Sequence, residues 1–551
     1  MRPMRPAFKL QRACLLAAFG ALGLSVTVRL PAAAIPCAQC HPKEVAGFAA
    51  TPMGRSLGRP EQGPSAKFTH ALSKTQFSIE TSDTRMIQRL ARDGLKGEHE
   101  VAYAVGSGAH AYAYLIERDG HLFQSPLGYF AGRGWGMSPG YEDSKAPDFE
   151  RPVTADCLFC HSGRARPVAG TYNTYQDPPF EGEAITCERC HGPAEVHLRA
   201  PLPGSIINPA KLSPRARDST CEQCHLIGEE RVPSPGKQLS DFRPGEELEE
   251  VFSVYVAAVS RDPSHGGGLK VVSQVQQLAL SKCALQSHGR LWCGTCHDPH
   301  ATPADAKSYF RARCLACHGA ALLKTHPKPN DDCVGCHMPR RPVTDGAHTI
   351  FTDHHIARRP LPQSSAKGAP GRDARQSPGV PEAPAALIAW HDPPSAVVRR
   401  NLGLAEVKVG DRSKSFPLVN QGFQLLLDCW PNFPDDPPLL SAIGQALLGA
   451  GHPSEAAAVY EQAIQIEPKV AINYLHAALA WKAVPDAIKA IDYLNKTQQL
   501  DPLLEEPYIE LADIYDGAHD GLRVHKTLER YLKAFPQSIR AQKLARESAE
   551  R

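Results

Sequence analysis

Apolar and polar residues alternate with different periods in successive stretches of the 551-residue chain. The first stretch has no period. Arg2, Arg5, Lys9 and Arg12 precede an uncharged, mostly apolar run from Ala13 to Val28, and Ala32-Ala33-Ala34 closes it. A basic start, a short apolar core and a small-residue exit form a secretory signal, so residues 1–34 are expected to be cleaved after Ala34. The alternative is an uncleaved anchor helix, but the run is shorter than the ~20 residues that span a bilayer. No later segment is long and apolar enough to cross one. The mature chain is therefore expected to be soluble and exported, periplasmic or extracellular.

Between 62 and 150 the period is two. Gln76 to Thr81, His99 to Val105 and Ala111 to Glu117 read as short strands, and Asp119-Gly120 is a hairpin turn before His121 to Tyr129. This predicts a small β insertion, either scaffold or the wall of a substrate pocket. Proline and small residues dominate 357–386, and 357–397 reads as a linker. From 398 to 551 the period is helical. Pro434, Pro468, Pro502 and Pro536 recur every 34 residues, with Gly444, Ala456, Tyr460, Ala478, Trp481, Ala490, Ala512 and Leu528 at the packing positions of a helix–turn–helix unit. This is the tetratricopeptide pattern: three clear units over 437–536, a degenerate one over 403–436 and a capping helix over 537–551. Such pairs stack into a solenoid that binds peptides or proteins; a generic helical bundle is the plainer alternative. The fold class expected overall is mainly α.

The chemistry lies in the cysteines. Of 17, fourteen form seven Cys-x-x-Cys pairs, each followed by histidine. The pairs are Cys37/Cys40, Cys157/Cys160, Cys187/Cys190, Cys221/Cys224, Cys293/Cys296, Cys314/Cys317 and Cys333/Cys336. The trailing histidines are His41, His161, His191, His225, His297, His318 and His337. Two thiols at this spacing can form thioethers to the two vinyl groups of one haem, and the next imidazole then comes under the iron as its proximal ligand. Zinc ribbons, a disulfide framework and thioredoxin-type redox pairs all use Cys-x-x-Cys, yet none explains seven trailing histidines. The expected cofactor is seven covalently bound haem c groups. Cys14 falls in the expected signal, and Cys283 and Cys429 remain, as buried thiols or as a disulfide joining two domains.

Seven haems change the charge. The formal +3 becomes −2 once the five basic residues of 1–34 are removed. At roughly −1 for each ferric haem with neutral ligands, the mature protein reaches about −9, which argues against a nucleic-acid partner. Within an expected haem domain of 35–356 the motifs run from Cys37 to His337, about 43 residues each, too few for separate domains of ~100 residues. The haems must pack on one another in one core, and the apoprotein should fold poorly. Among the histidines outside the motifs, His70, His110, His197, His300, His326, His348 and His354 are candidate distal ligands. His197 and His300 lie too close in sequence to His191 and His297 to reach the far face of the same haem, so each more naturally serves a neighbour. His99, His121, His265, His288 and His355 read as surface or supporting residues, and Met53 and Met338 as packing residues that could also ligate.

The segments around Cys37-Ala-Gln-Cys-His-Pro-Lys-Glu-Val, Met53-Gly-Arg-Ser56, Gly106-Ser-Gly-Ala-His110, Cys187-Glu-Arg-Cys-His-Gly-Pro with His197, Cys293-Gly-Thr-Cys-His-Asp-Pro-His300 and Cys333-Val-Gly-Cys-His-Met-Pro339 resemble the cytochrome c-554-type multihaem family. The chain looks like the exported members fused to tetratricopeptide repeats. The resemblance implies mainly bis-histidine haems stacked for electron transfer and supports His110, His197 and His300 as distal ligands. Wider relatives include hydroxylamine oxidoreductases and pentahaem nitrite reductases, but this chain lacks the Cys-x-x-Cys-Lys motif of the latter. The function expected is an electron carrier whose repeats dock a redox partner protein. The alternative is an oxidoreductase acting on a small nitrogen or sulfur oxyanion at one open haem, with the first haem, beside the β insertion, as the place to look.

Overall fold

The computed structural model describes residues 35–550 except 61–62, 83–84, 259–268, 327–331, 347–348, 359–382 and 485. The expected signal (1–34), most of the expected linker, His265 and His348 lie outside the described residues.

The β element is much larger than the small insertion anticipated, and the description of the chain as mainly α is corrected accordingly. Nine antiparallel strands form one sheet: β1 (Leu57–Gly58), β2 (Ala66–Thr69), β3 (Gln76–Thr81), β4 (Met86–Arg92), β5 (Leu95–Val105), β6 (Ala111–Arg118), β7 (His121–Phe130), β8 (Gly134–Met137) and β9 (Arg151–Pro152). Their order is β2-β3-β4-β5-β6-β7-β8, with β1 on β5 and β9 on β7. Asp119-Gly120 turns the β6–β7 hairpin with φ of +48° and +76°, and Asp93-Gly94 turns β4–β5 with +53° and +79°. Both residues of each turn are left-handed, the geometry that matches the twist of a two-residue hairpin. The alternation in β4 is disguised because Gln88 points into the core, where it is fully buried and accepts from Ser125 Oγ at 2.5 Å.

Four helix pairs follow: Val398–Arg412 with Phe416–Cys429, Pro437–Gly449 with Pro453–Ile466, Ala471–Ala483 with Ala487–Leu500, and Glu506–Gly517 with Gly521–Ala534. Ile539–Ala549 closes the stack. The recurring prolines do the same thing in each unit. Tyr474 Oη donates to the Pro468 carbonyl, Tyr508 Oη to Pro502 and Gln542 Nε2 to Pro536, all at 3.0–3.1 Å. Leu440 takes the corresponding place in the first unit, so Gln462 serves Pro434 instead. Gly444 has to be glycine, because a Cβ there would stand 2.6 Å from the Tyr460 ring.

This solenoid is joined to the rest of the chain at both ends. At its C-terminal end Leu503, Tyr508, Leu528, Tyr531, Phe535 and Ile539 share one buried core with Phe77, Met86, Leu90, Val101, Tyr114 and Phe123 of the sheet. At its N-terminal end Val398–Arg412 packs on a second antiparallel sheet of Glu230–Pro233, Phe252–Ala257 and Leu387–Ala389. Leu387–Ala389 falls inside the expected linker, and the buried Leu387 corrects that assignment there. Arg400 is buried, bonded to both Asp436 oxygens at 2.7 and 3.0 Å and to the Pro233 carbonyl at 2.5 Å. The loops between repeats make further contacts, Ala471 N to Gly170 O and Gln537 Oε1 from Glu98 N. Asp501 takes His121 Nε2 at 3.1 Å and Tyr172 N at 3.3 Å, which places His121 in this junction rather than at the surface. His99 is also buried, stacked on Phe149 at 4.3 Å.

The region in between differs. Apart from Pro339, no apolar side chain between Leu269 and Leu387 is buried among the described residues. The thirteen-residue helix Ala306–His318, which ends in the sixth motif, buries nothing.

Candidate functional site

That coreless region forms one side of a cavity of about 3940 Å³, residues between Pro36 and His225 form the other, and all seven motifs contribute to the wall. Divided seven ways this is about 560 Å³ each, within the roughly 300–1,000 Å³ that one cofactor-sized ligand occupies. Thiols of different motifs lie beside one another: Cys37 by Cys187, Cys160 by Cys224, Cys221 by Cys293, and Cys314 by Cys333. Burial, reinforced by the facing thiol, pushes Cys187 and Cys314 up to about 11. Arg231 reaches the Cys160 sulfur at 3.6 Å. Among the described residues no group of three or more His, Cys, Asp or Glu side chains is placed to hold a bare metal ion, so the pairs are not arranged as tetrahedral zinc sites.

The histidines test whether haem fits. Two imidazoles on opposite sides of one metal, with bonds of about 2.0–2.1 Å and each nitrogen roughly 1.1 Å from its ring centre, hold their centroids roughly 6.3 Å apart. Four pairs in the cavity stand close to that separation. His41 faces His197 at 6.4 Å, His191 faces His300 at 5.9 Å, His297 faces His354 at 6.3 Å, and His337 faces His326 at 6.0 Å. Each pair joins one motif histidine to one distal candidate. As the sequence spacing requires, His197 and His300 face other motifs than the ones they follow.

The Nδ1 atoms support the same assignment. His191, His337 and His354 donate Nδ1–H to the carbonyls of Ile207, Ala357 and Thr352 at 2.8, 2.6 and 3.0 Å. His197 donates to Ser205 Oγ at 2.9 Å, and that hydroxyl in turn donates to Leu202 O. Tying Nδ1 leaves Nε2 as the free ligand atom, the arrangement usual for metal-bound histidine. Burial also lowers the pKa of His161, His191, His225, His297 and His354, which holds those imidazoles neutral as ligation requires. The residues present therefore fit the group.

Other candidates go elsewhere. His70 is removed from the ligand set, because Ser73 Oγ and the Glu142 carbonyl occupy its two ring nitrogens at 2.9 and 3.0 Å and it does not line the cavity. His348 lies outside the described residues. His110 lines the cavity, stacked on Phe351 at 4.1 Å. Among the described residues no imidazole stands opposite His161, His225 or His318. With His197 facing His41, the first motif is a poor place to look for an open site. Cys283 lines the cavity and Cys429 is buried in the repeats, so the disulfide between them is not formed.

Sequence reasoning passed over one group. Trp390 and His391 follow the strand Leu387–Ala389 into the cavity wall and both reach Glu222, inside the fourth motif. The apolar run Leu387 to Trp390, unusual in a proline-rich stretch, is the signal that pointed there.

No family model matches the chain, and no curated protein matches it. Among solved structures, the MamA protein aligns at 18% identity over 27% of this chain and 81% of its own, with a TM-score of 0.24. TTC0263, a thermophilic tetratricopeptide protein of Thermus thermophilus, aligns at 16% over 27% and 81%, also at 0.24. The Cut9–Hcn1 hetero-tetramer of the APC/C aligns at 17% over 28% and 32%, again at 0.24. The repeat assignment rests on the helix pairs and the proline contacts described above.

Proposed function

We propose that this protein is an exported heptahaem c-type cytochrome that carries electrons through a stacked haem array. Haem bound at the seven motifs would supply one-electron redox chemistry. The carrying observation is the four imidazole pairs at bis-axial separation, in a cavity whose wall includes all seven motifs. Cys37/Cys40 with His41, and the six later motifs likewise, would hold each group on its proximal side. His197, His300, His354 and His326 would close the distal side of the first, third, fifth and seventh. The chain's own residues fix His191, His197, His337 and His354 through Nδ1. The repeats, whose inter-repeat loops and both ends are engaged within the chain, would offer their remaining faces to a redox partner protein.

A pyridine haemochrome count on the secreted protein tests this directly. Seven haems with at least four low-spin centres are expected; an unmodified polypeptide, or zinc in place of iron, overturns it. A second reading has its own observation. His161, His225 and His318 lack a described imidazole opposite, so a haem that turns over a small nitrogen or sulfur oxyanion belongs at one of those three. Stoichiometric carbon monoxide binding at one ferrous haem, with dye-linked turnover of nitrite or hydroxylamine, supports it. Low-spin spectra throughout end it.

A further inference from the structure

His391 occupies a position that cannot satisfy both of its neighbours at once. Its Nε2 lies 2.6 Å from Arg215 Nη1 and 2.9 Å from Glu222 Oε2. The guanidinium can only donate and the carboxylate can only accept. An unprotonated Nε2 therefore accepts from Arg215 and turns its lone pair toward the Glu222 charge. A protonated Nε2 donates to Glu222 and confronts the Arg215 N–H. The neighbours are fixed. Arg215 is held through Nη2 by both Glu249 oxygens at 2.6 and 2.5 Å, and Glu222, only 6% exposed, takes Trp390 Nε1 at 3.4 Å on its other oxygen. The charged groups facing His391 are thus Arg215 and Glu222 from the helix Pro214–His225 and, behind Arg215, Glu249 from the turn Leu248–Glu250. Asp392 is next to it in the chain.

Glu222 sits between Cys221 and Cys224, so this two-state imidazole adjoins the fourth motif. Resting on the array reading, we propose that His391 is the proton acceptor coupled to that haem. With haem held there by Cys221, Cys224 and His225, one electron from the redox partner protein would take its iron from ferric to ferrous, and one proton from water would bind His391 Nε2. His391 then gives up its bond from Arg215 and donates to Glu222. The added electron makes the site more negative, which favours the protonated imidazole. By reciprocity a protonated His391 favours the reduced iron, and partial burial keeps the coupling from being screened away.

The test is a spectroelectrochemical titration of the full haem-loaded chain across about pH 5 to 8, where imidazole changes charge. One component should fall in potential with rising pH, by at most roughly 59 mV per tenfold change in proton concentration. In His391→Gln, which can still accept from Arg215, that component should lose its pH dependence while the others keep theirs. Glu222→Gln, which removes the charge that stabilises the protonated ring, should reduce the same slope, and it reads the linkage if His391→Gln fails to load haem. An unchanged slope in either variant at full haem content overturns the proposal. A haemochrome count of zero in the wild type overturns the array reading itself, a distinct failure.

Discussion

The sheet with its repeats and the region between Leu269 and Leu387 come from one chain but are built differently. The first buries Phe77, Phe123, Tyr531 and Phe535 in a core shared across about 460 residues of sequence. The second buries almost no apolar side chain, yet it contains three of the seven motifs and the histidines His300, His326 and His354. Helices as short as Cys293–Cys296 or Cys333–His337 do not persist on their own hydrogen bonds. The contrast locates the region where the proposed haems would supply the interior. It also makes the repeats part of the fold rather than an appended docking arm, since removing 398–551 would strip one face from both sheets.

The strongest way to break this comparison is to secrete the chain without haem attachment. Hydrogen exchange and limited proteolysis should then find 271–358 unprotected, while β3–β7 and 437–534 keep their protection. Equal protection in both regions would show that the cavity holds itself open. The next largest effect concerns the shared core: Phe535→Ala should cost about 3–5 kcal/mol, and denaturant unfolding followed in the sheet and in the repeats should shift together. Separate transitions would return the repeats to the status of an independent domain. A more local change sharpens the ligand assignment. His300→Ala should open one further haem, adding one high-spin ferric signal and one carbon monoxide site to those of the wild type, whereas His70→Ala should leave the spectra unchanged.

What could be read from the sequence was whatever repeats over short distances. The seven motifs and the 34-residue proline period are local patterns, and β3 runs over Gln76–Thr81 as its alternation requires. That His197 and His300 face motifs other than the ones they follow was legible too, because a chain cannot reach round a macrocycle in a few residues. What stayed hidden depends on distant partners. Gln88 faces the core because Ser125 satisfies it, and that broke the period of β4. Leu387–Ala389 is a strand only because Phe252–Ala257 offers it an edge. His70 looked as free as His354 until Glu142, 72 positions away, took its second nitrogen.

The smallest predicted effect lies in the junction between the sheet and the repeats, where opposing titrations meet. Burial, opposed by the Tyr531 hydroxyl bonded to it, raises Glu505 to about 7, and burial also raises Asp148 and Glu150 beside it. Burial, aided by the Arg118 charge, lowers His99 to about 3. The folded state therefore binds protons at the carboxyls that the unfolded chain releases, and this stabilisation fades as pH rises from the usual carboxylate range through about 7. For His99 the unfolded chain binds the proton, so its contribution is present above the ordinary imidazole value and is lost as pH falls through about 3. Where the two ranges overlap, from the usual carboxylate value to the ordinary imidazole value, the slopes oppose each other and partly cancel. Glu505→Gln should leave the histidine's slope more exposed, so that stability rises more steeply with pH across the mildly acidic range. His99→Phe should do the reverse, so that stability falls as pH rises toward neutrality. Thermal unfolding of both variants at a series of pH values separates these outcomes, and parallel curves for the two would mean that the junction is not where the protons bind.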